Sequence, residues 1–205
     1  RGNAGLPCLI RGFARRHGLS LEMAARRLRH EFLAQAGQSL GIRTVALAHH
    51  ADDQVELFFL RLLRGAGGEG LAGMAPVSAS PADPRMQLIR PFLEITKKEL
   101  QAYAQHEGVA YRRDASNDDL RFQRNRLRRE LLPLLRRKFQ PALDQTVRRS
   151  MQILDAESDF VDQAARAWRS AKRPAAFDRL HIAVQRQVLR IGLREPLEHR
   201  RQTVE

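Results

Sequence analysis

Two histidines and three acids form the densest polar cluster of the sequence. They are His49, His50, Asp52, Asp53 and Glu56. If a helix begins at Asp52, Asp52 and Glu56 lie on one face and Asp53 lies close to it. Three carboxylates beside two imidazoles could hold Mg²⁺ or a cationic amine. In a simpler interpretation, Asp52 or Asp53 caps the helix and the histidines form ordinary hydrogen bonds.

A glycine-rich segment, Arg64-Gly65-Ala66-Gly67-Gly68-Glu69-Gly70-Leu71, follows this cluster. It is not a Walker A phosphate loop, because no Gly-Lys-Ser or Gly-Lys-Thr follows it. It also does not come after a strand and open a helix, as a dinucleotide-binding fingerprint does. Two interpretations stay open: a flexible stop of the preceding helix, or a turn that presents Arg64 to a phosphate.

A third polar region, residues 112–129, joins an irregular loop to a basic helix. Asp114 and Asn117 lie in the loop. The helix carries Arg124, Asn125, Arg126, Arg128 and Arg129. The region is either a polar loop entering a solvated helix, or a surface that follows the phosphates of a folded RNA. Aromatic residues are sparse along the basic stretch, where Phe122 and Phe139 occur, so the sequence does not predict a stacking platform for single strands.

The chain as a whole is basic. Its 205 residues include 36 Lys and Arg against 23 Asp and Glu, a net charge of +13, and only four of the basic residues are lysines. Arginine suits bidentate phosphate contacts, so nucleic acid is the first partner to consider, although genomic base composition can also exchange lysine for arginine. A single cysteine, Cys8, excludes an internal disulfide and a CxxC pair. No apolar run of about 18 residues predicts a membrane span.

Two short apolar runs, residues 43–48 and 87–92, predict buried strands. The first precedes a helix over 52–64 that ends at the following glycine, and the second precedes a helix from the Thr96 capping box to about His106. The helix over 52–64 is apolar nearly all round, so we expect it to be largely buried. The residues 65–84, rich in glycine, alanine and proline, predict a loop.

Helices dominate the rest of the predicted structure. Residues 9–38 look mostly helical with Ser20 as an internal cap, a helix of about 30 residues follows Pro141, and Asp178 can cap a last helix. The order predicts an α/β class: a Rossmann-like parallel-sheet domain over residues 1–140 and an all-α linker or substrate-binding extension over 141–205. The histidine–acid cluster would then lie at the carboxyl ends of the strands, where open parallel sheets bind ligands.

Together these motifs resemble the tRNA(Ile)-lysidine synthetase family of the N-type ATP pyrophosphatase (PP-loop) superfamily. The resemblance covers about residues 20–195. The matching segments, in order, are 25–32, 48–56, 61–67, 70–74, 90–92, 98–100 with Tyr103, 114–117, 124–128 and 132–135. His30 and Leu57 stand where the family has tyrosine and threonine. The family's Ser-Gly-Gly-x-Asp-Ser phosphate loop is absent from this sequence, which opens at Arg1, so we expect a piece whose natural amino terminus is missing and which is inactive alone.

The resemblance implies a cytoplasmic, ATP- and Mg²⁺-dependent PP-loop ligase. ATP would adenylate the C2 oxygen of the wobble cytidine of an isoleucine tRNA, releasing pyrophosphate. The amine of free L-lysine would then attack C2, and AMP would leave. No membrane partner is implied, and a homodimer is compatible with the resemblance.

The resemblance also implies a role for each cluster. The catalytic residues would be Asp52, Asp53, Glu56 and Arg64. The three acids would help to hold the lysine cation or Mg²⁺. Arg64 would contact the α-phosphate or the developing charge. The nucleotide or substrate pocket would include His49, His50, Glu99, Asp114 and Asn117. The tRNA backbone would meet Arg124, Asn125, Arg126, Arg128 and Arg129. For Glu99, recognition of lysine and a purely capping role with Thr96 stay equally open.

Two other functions remain as alternatives. A different PP-loop enzyme that modifies tRNA, such as a thiolase, would use cysteine pairs or a cluster, and Cys8 alone argues against it. A catalytically incomplete tRNA-binding fragment agrees with the charge of +13 and with the absent phosphate loop.

Overall fold

The computed structural model describes residues 5–111, 119–120 and 122–202, with side chains from residue 8 to residue 193 of these ranges. The chain divides into two compact units. We call them the sheet unit, Arg1–Asp53 with Met74–Tyr111, and the helical unit, Gln54–Gly73 with Arg112–Glu205. Within the described residues, no helix combines the length and the apolar character that crossing a membrane requires.

The described elements follow one another in a mostly helical order. They are α1 (Gly5–His17), α2 (Leu21–Leu40), β1 (Thr44–Ala46), α3 (Ala51–Leu62), α4 (Gly68–Leu71), β2 (Val77–Ala79), β3 (Gln87–Ile89), α5 (Lys97–His106), α6 (Gln123–Arg126), a π-helical turn (Leu127–Leu131), α7 (Leu132–Lys138), α8 (Leu143–Ser170), a 3₁₀ turn (Phe177–Arg179) and α9 (Ile182–Gln202).

The sheet unit contains a three-stranded sheet in the order β1-β3-β2. β1 and β3 are parallel, with Val45 opposite Leu88, as predicted for the two apolar runs. β2 pairs antiparallel with β3, with Ser78 opposite Leu88. The loop predicted over residues 65–84 is therefore wrong in part, because it contains α4 and β2. An exposed three-residue edge strand carries too short an apolar pattern to be recognised in the sequence.

Buried side chains from the central strand and the helices form the interior of the sheet unit. Leu88 on β3 is almost fully buried, as are Met86 and Leu93 on either side of it. Ala24 on α2 and Ala51 at the start of α3 are also buried. Small residues at these helix positions allow close packing, which explains how short strands can still form an interior.

The described residues of the helical unit form two apolar clusters. The first joins α3 to the π-helical turn, α7 and α8, through the buried residues Val55, Leu60, Leu127, Leu132, Val147 and Met151. The second joins α8 to α9, through Ala165, Val188 and Ile191. The expectation that the helix over 52–64 is largely buried holds only as far as Leu60, since Leu62 and Leu63 are exposed.

A π-helical turn interrupts the basic helical region between α6 and α7. The Leu132 N–H donates to the Leu127 carbonyl, one residue further back than in an α-helix. Pro133 follows directly, and proline has no N–H and clashes with the carbonyl four residues before it. A widened turn just before this proline accommodates both effects, and such turns often occur near functional residues.

The two long helices at the end of the chain agree with the predicted periodicity, with one correction. α8 has 28 residues, close to the predicted length of about 30, and buries Val147, Met151 and Ala165 of the predicted stripe. The cap predicted at Asp178 is wrong, because Asp178 lies in the 3₁₀ turn and α9 begins later. The Ala183 N–H instead donates to His181 Nδ1 over 3.2 Å.

The small sheet with its helices, followed by helices alone, confirms the predicted class, an α/β domain with a helical extension.

Candidate functional site

The carboxyl ends of β1 and β3 position the histidine–aspartate cluster of the sheet unit. Beyond the strands the two segments stay side by side: His50 faces Phe92 in a parallel bridge. The Ala51 N–H then donates to the Ile95 carbonyl over 2.9 Å. This pairing holds the first turn of α3 beside the segment that leads into α5, at the edge where open parallel sheets bind ligands.

The His50 side chain lies between the two aspartates. Its Nδ1 is 3.5 Å from Asp52 Oδ2, and its Nε2 is 3.5 Å from Asp53 Oδ2. Both distances are long for hydrogen bonds. The two contacts become ion pairs when the imidazole is protonated. The His50 N–H donates to Asp53 Oδ2 over 3.0 Å. Asp53 therefore makes the helix-capping contact that the sequence offered as an alternative.

Asp52 is the more accessible carboxylate of this pair. Its Oδ2 accepts the Lys97 N–H over 2.7 Å, at the beginning of α5, and its side chain is 34% exposed. The interaction with the His50 side chain is the main cause that lowers the pKa of Asp52 to about 2, helped by the Lys97 N–H and opposed by burial. Asp52 is therefore an anion at neutral pH and can attract a cation at the edge of the sheet.

Thr96 and Glu99 form the predicted capping box at the start of α5. The Glu99 N–H donates to Thr96 Oγ1 over 3.2 Å, and Glu99 Oε2 accepts the Thr96 N–H over 2.7 Å. The capping interpretation of Glu99 is confirmed by these contacts. Its recognition of lysine stays a prediction.

The other predicted pocket residues are placed as follows. His49 is half-buried beside His50. Asp114 and Asn117 lie outside the described residues.

Glu56 lies in the helical unit at the centre of an arginine cluster. Its Oε1 accepts the Arg128 Nε–H over 2.6 Å, and its Oε2 accepts an Arg128 Nη2–H over 2.9 Å. Oε2 also accepts the Arg124 Nε–H over 2.7 Å. Glu56 is 2% exposed, so two guanidinium groups share one buried carboxylate. Short charge-assisted bonds of this kind are stronger than neutral ones and fix the geometry of both arginines.

The remaining residues of the predicted tRNA surface differ in exposure. Arg126 is exposed, and its Nε lies 3.8 Å from Glu130 Oε2. Asn125 is buried, and its Nδ2 donates to the Asp119 carbonyl over 2.9 Å. Arg129 is exposed. The structure therefore brings Arg124 and Arg128 together on Glu56 and places Arg126 in a separate, weaker pair.

An arginine that the sequence analysis did not assign holds the glycine-rich segment. Arg61 Nη1 donates to the Gly70 carbonyl over 2.7 Å and to the Gly73 carbonyl over 3.1 Å. α3 ends at Leu62, and Gly65, in the turn that follows, has a φ of 76°. The next helix, α4, packs against α8. The segment is thus a helix stop, as one interpretation predicted, but Arg61 and α8 hold it in place. A basic residue near the end of an apolar helix, just before a run of glycine carbonyls, was the available signal.

Arg64 is exposed at the end of the same helix. Its Nη2 donates to Gln123 Oε1 over 3.3 Å, a contact within the helical unit that the sequence did not predict. A guanidinium on the surface, anchored by one neutral amide, has a geometry suited to an anionic group such as a phosphate.

In the sheet unit, His30 on α2 lies within the electrostatic influence of arginine side chains. His30 is buried, and its Nδ1 has no hydrogen-bond partner among the described residues. Burial, followed by the charges of Arg26, Arg29 and Arg90, lowers the pKa of His30, so its ring is neutral at neutral pH. In the sequence, His30 stood out only because it occupies a position where the family has tyrosine.

A bound Mg²⁺ ion needs oxygen ligands from the protein, from its substrate or from water. Across 5–111, 119–120 and 122–202, no group of three or more His, Cys, Asp or Glu side chains is arranged to hold a metal ion. Mg²⁺ that arrives with a nucleotide needs only one or two protein carboxylates, because phosphates and water complete its octahedral shell. The ionised Asp52, near Asp53, fits that smaller requirement.

A family model described as a PP-loop domain matches residues 2–135 of the sequence. The chain belongs to this family.

Among its relatives are proteins named tRNA(Ile)-lysidine synthase. The protein of Geobacter sulfurreducens is 42% identical over 77% of this chain and 33% of its own length. The protein of Porphyromonas gingivalis strain W83 is 38% identical over 78% of this chain and 34% of its own. That of Bacillus subtilis strain 168 is 36% identical over 74% of this chain and 31% of its own. The chain thus spans about a third of the length of these relatives.

Proposed function

We propose that this chain is part of a ligase that converts the wobble cytidine of an isoleucine tRNA to lysidine. The observation that carries the proposal is the ionised Asp52 beside His50 at the carboxyl edge of the parallel strands, in a domain of the PP-loop family. The names of the relatives supply the substrate class. PP-loop membership supports the use of ATP.

The proposed reaction has two steps. The C2 oxygen of the cytidine attacks the α-phosphate of ATP, and pyrophosphate leaves. The neutral amine of free L-lysine then attacks C2, the bond from C2 to the adenylated oxygen breaks, and AMP leaves. Both steps need close positioning of the reactants, and the first needs positive charge around the phosphates.

We assign four residues to the chemistry. Asp52, Asp53 and Glu56 would hold the lysine ammonium, or Mg²⁺ together with the nucleotide phosphates. Arg64 would contact the α-phosphate or the charge that develops on it, which its exposed guanidinium supports.

The remaining assignments concern binding and organisation. We assign the nucleotide or substrate pocket to His49, His50, Glu99, Asp114 and Asn117. We assign contacts with the tRNA backbone to Arg124, Asn125, Arg126, Arg128 and Arg129. Division into domains at residues 1–140 and 141–205, a cytoplasmic location and a homodimer complete the proposal.

The experiment uses the full-length gene product that contains this chain. It is incubated with ATP, Mg²⁺, radiolabelled lysine and an isoleucine tRNA transcript with a cytidine wobble base. We expect label to enter the tRNA and AMP to be released only when lysine is present. A transcript with uridine at the wobble position is the matched control and should accept no lysine.

The rival functions give different results in this assay. Binding of tRNA without turnover would favour a catalytically incomplete RNA-binding fragment, which the net charge of +13 supports. AMP release that is independent of lysine would favour another PP-loop enzyme that modifies tRNA.

A further inference from the structure

An open cavity of about 370 Å³ lies in the helical unit, between the end of α3 and the basic helical region. Its apolar walls come from Leu63, which follows α3, and from Leu127, Leu131 and Leu134, on the π-helical turn and α7. Leu127 is 3% exposed and belongs to the first apolar cluster, whereas Leu63 is 60% exposed and Leu134 is 43% exposed. The cavity therefore has a floor that is part of the core and apolar sides that solvent reaches.

Three polar side chains, Gln123, Arg126 and Glu130, complete the lining. Arg126 Nε is 3.8 Å from Glu130 Oε2, too long for a hydrogen bond, and the two side chains are 64% and 56% exposed. Gln123 Oε1 accepts a bond from Arg64 over 3.3 Å. Arg64 thus lies beside the same cavity, and the bond orients the Gln123 amide.

Apolar walls with a donor and an acceptor at the rim suit a nucleobase. Proteins read a base that has left its stack through contacts with its faces and hydrogen bonds to its Watson–Crick edge. Glu130 can accept from an amino group on that edge, and the Gln123 amide can donate to a neighbouring acceptor. The exposed guanidinium of Arg126 suits the phosphate of the same nucleotide.

The same features disfavour an apolar protein segment as the occupant. Such a segment would bury the charges of Arg126 and Glu130 with it, which is costly unless both are well paired. The volume of the cavity lies in the range of small-ligand sites, about 300–1,000 Å³, so it can hold a single base.

We propose that this cavity receives an unstacked base of the tRNA that neighbours the wobble cytidine. The inference rests on the proposed function, which supplies the tRNA and assigns Arg64 to the reacting phosphate. Because Arg64 lies beside the cavity, a base held there would be close in the strand to the target nucleotide. Holding the neighbouring base would position the cytidine for adenylation.

The test combines a change in the protein with a change in the RNA. Filter binding at one fixed salt concentration measures the affinity of the full-length protein for isoleucine tRNA ligated from synthetic halves. Two further tRNAs carry an abasic site directly before or directly after the wobble cytidine. We expect Leu63→Ala to weaken binding of the intact tRNA by about fivefold, within the range for groups in contact, and to cause no loss with one of the two abasic tRNAs.

Leu189→Ala is the matched control. Leu189 is a leucine of the helical unit with 56% exposure, close to the 60% of Leu63, but it does not line the cavity. This variant should lose the same small factor, or none, with all three tRNAs. Thermal melting identifies any unfolded variant, and Leu134→Ala is the second cavity variant, should Leu63→Ala not fold.

The possible results separate the base site from the proposed function. Unchanged affinity of Leu63→Ala for the intact tRNA, or an equal loss with all three tRNAs, overturns the base site and leaves the ligase assignment standing. A higher KM for ATP with unchanged tRNA affinity also overturns it and identifies the adenine of ATP as the occupant. Failure of the unmodified protein to transfer lysine to intact tRNA overturns the proposed function, whatever the binding results.

Discussion

Glu56 and Arg128 are 72 positions apart in the sequence and share two hydrogen bonds, of 2.6 and 2.9 Å. Arg124 adds a third bond to the same carboxylate. The contact joins α3 to the basic helical region within the helical unit and lies next to its first apolar cluster, since Val55 and Leu127 are buried members of that cluster. One buried carboxylate thus sets the positions of two arginines assigned to RNA.

Glu56→Ala should destabilise the chain strongly. Removing one partner of a buried ion pair costs about 3–5 kcal/mol, and we expect the lower end because both arginines are partly exposed. Urea unfolding followed by circular dichroism measures the change. Glu130→Ala, which removes an exposed acid 3.8 Å from Arg126, is the control and should cost less than about 1 kcal/mol. Equal losses in the two variants would contradict the structural role of Glu56.

Acid should remove a contribution of Asp52 to stability. Its pKa is lowered in the folded chain from 3.8 to about 2, so the contribution is complete above the unfolded value and is lost as the pH falls from about 4 to about 2. The unmodified chain and Asp52→Asn should therefore differ most above about pH 4 and converge near pH 2. Urea midpoints measured across this range test the prediction.

His50→Ala refines the same experiment, because the His50 side chain is the main cause that lowers the pKa of Asp52. In this variant the loss of stability caused by Asp52 should be smaller and should end at a higher pH, because the folded pKa of Asp52 moves back towards 3.8. An unchanged acid profile would show that His50 does not act on Asp52.

Gly73→Ala should destabilise the helical unit. Gly73 has a φ of 94°, and an added Cβ would overlap the terminal methyl of Met151 and lie 2.8 Å from Gln54 Oε1. Left-handed backbone strain and overpacking together predict a loss of about 2–4 kcal/mol. Gly65→Ala is the matched control: its φ is 76° but its Cβ would meet open space, so only the backbone cost of about 1–2 kcal/mol applies. Thermal or urea unfolding should rank the two variants in this order.

Glu99→Gln should separate capping from substrate recognition. Glutamine can replace glutamate in a capping box, so the free energy of unfolding should change by less than about 0.5 kcal/mol. If Glu99 also recognises lysine, loss of its charge should raise the KM for lysine by about tenfold, as expected for a bond to a charged group. We expect both results. An unchanged KM would assign Glu99 to capping alone.

Arg64→Ala should abolish adenylation in the full-length protein while tRNA affinity stays nearly intact. Loss of a group that stabilises transition-state charge costs about 100- to 1000-fold in kcat. Pyrophosphate release and filter binding of tRNA measure the two properties. Arg61→Ala provides the contrast: it removes the donor to the Gly70 and Gly73 carbonyls and should lower stability by about 1–3 kcal/mol. Adenylation at the unmodified rate in Arg64→Ala would refute its role.

Features set by neighbouring residues could be predicted from the sequence. Ser20 and Thr96 cap their helices as expected, because a cap depends only on the next three residues. The long helix α8 and the two parallel strands also follow from local apolar periodicity. The histidine–aspartate cluster at the carboxyl edge of the strands could also be predicted, because its residues directly follow the first apolar run in the sequence.

The tertiary structure alone decided which distant groups meet. Asp52 on α3 accepts the N–H of Lys97, on the first turn of α5, because β1 and β3 are parallel neighbours. Arg61 reaches glycine carbonyls because the segment after α3 turns back along it. Glu56 is an acidic residue in an acidic cluster, so the sequence predicted that it binds a free cation. In the fold its carboxylate instead binds the guanidinium groups of Arg124 and Arg128, which are 68 and 72 residues away. A carboxylate binds whichever cation the folded chain brings within about 3 Å, and the number of residues between two groups in the sequence does not determine that distance.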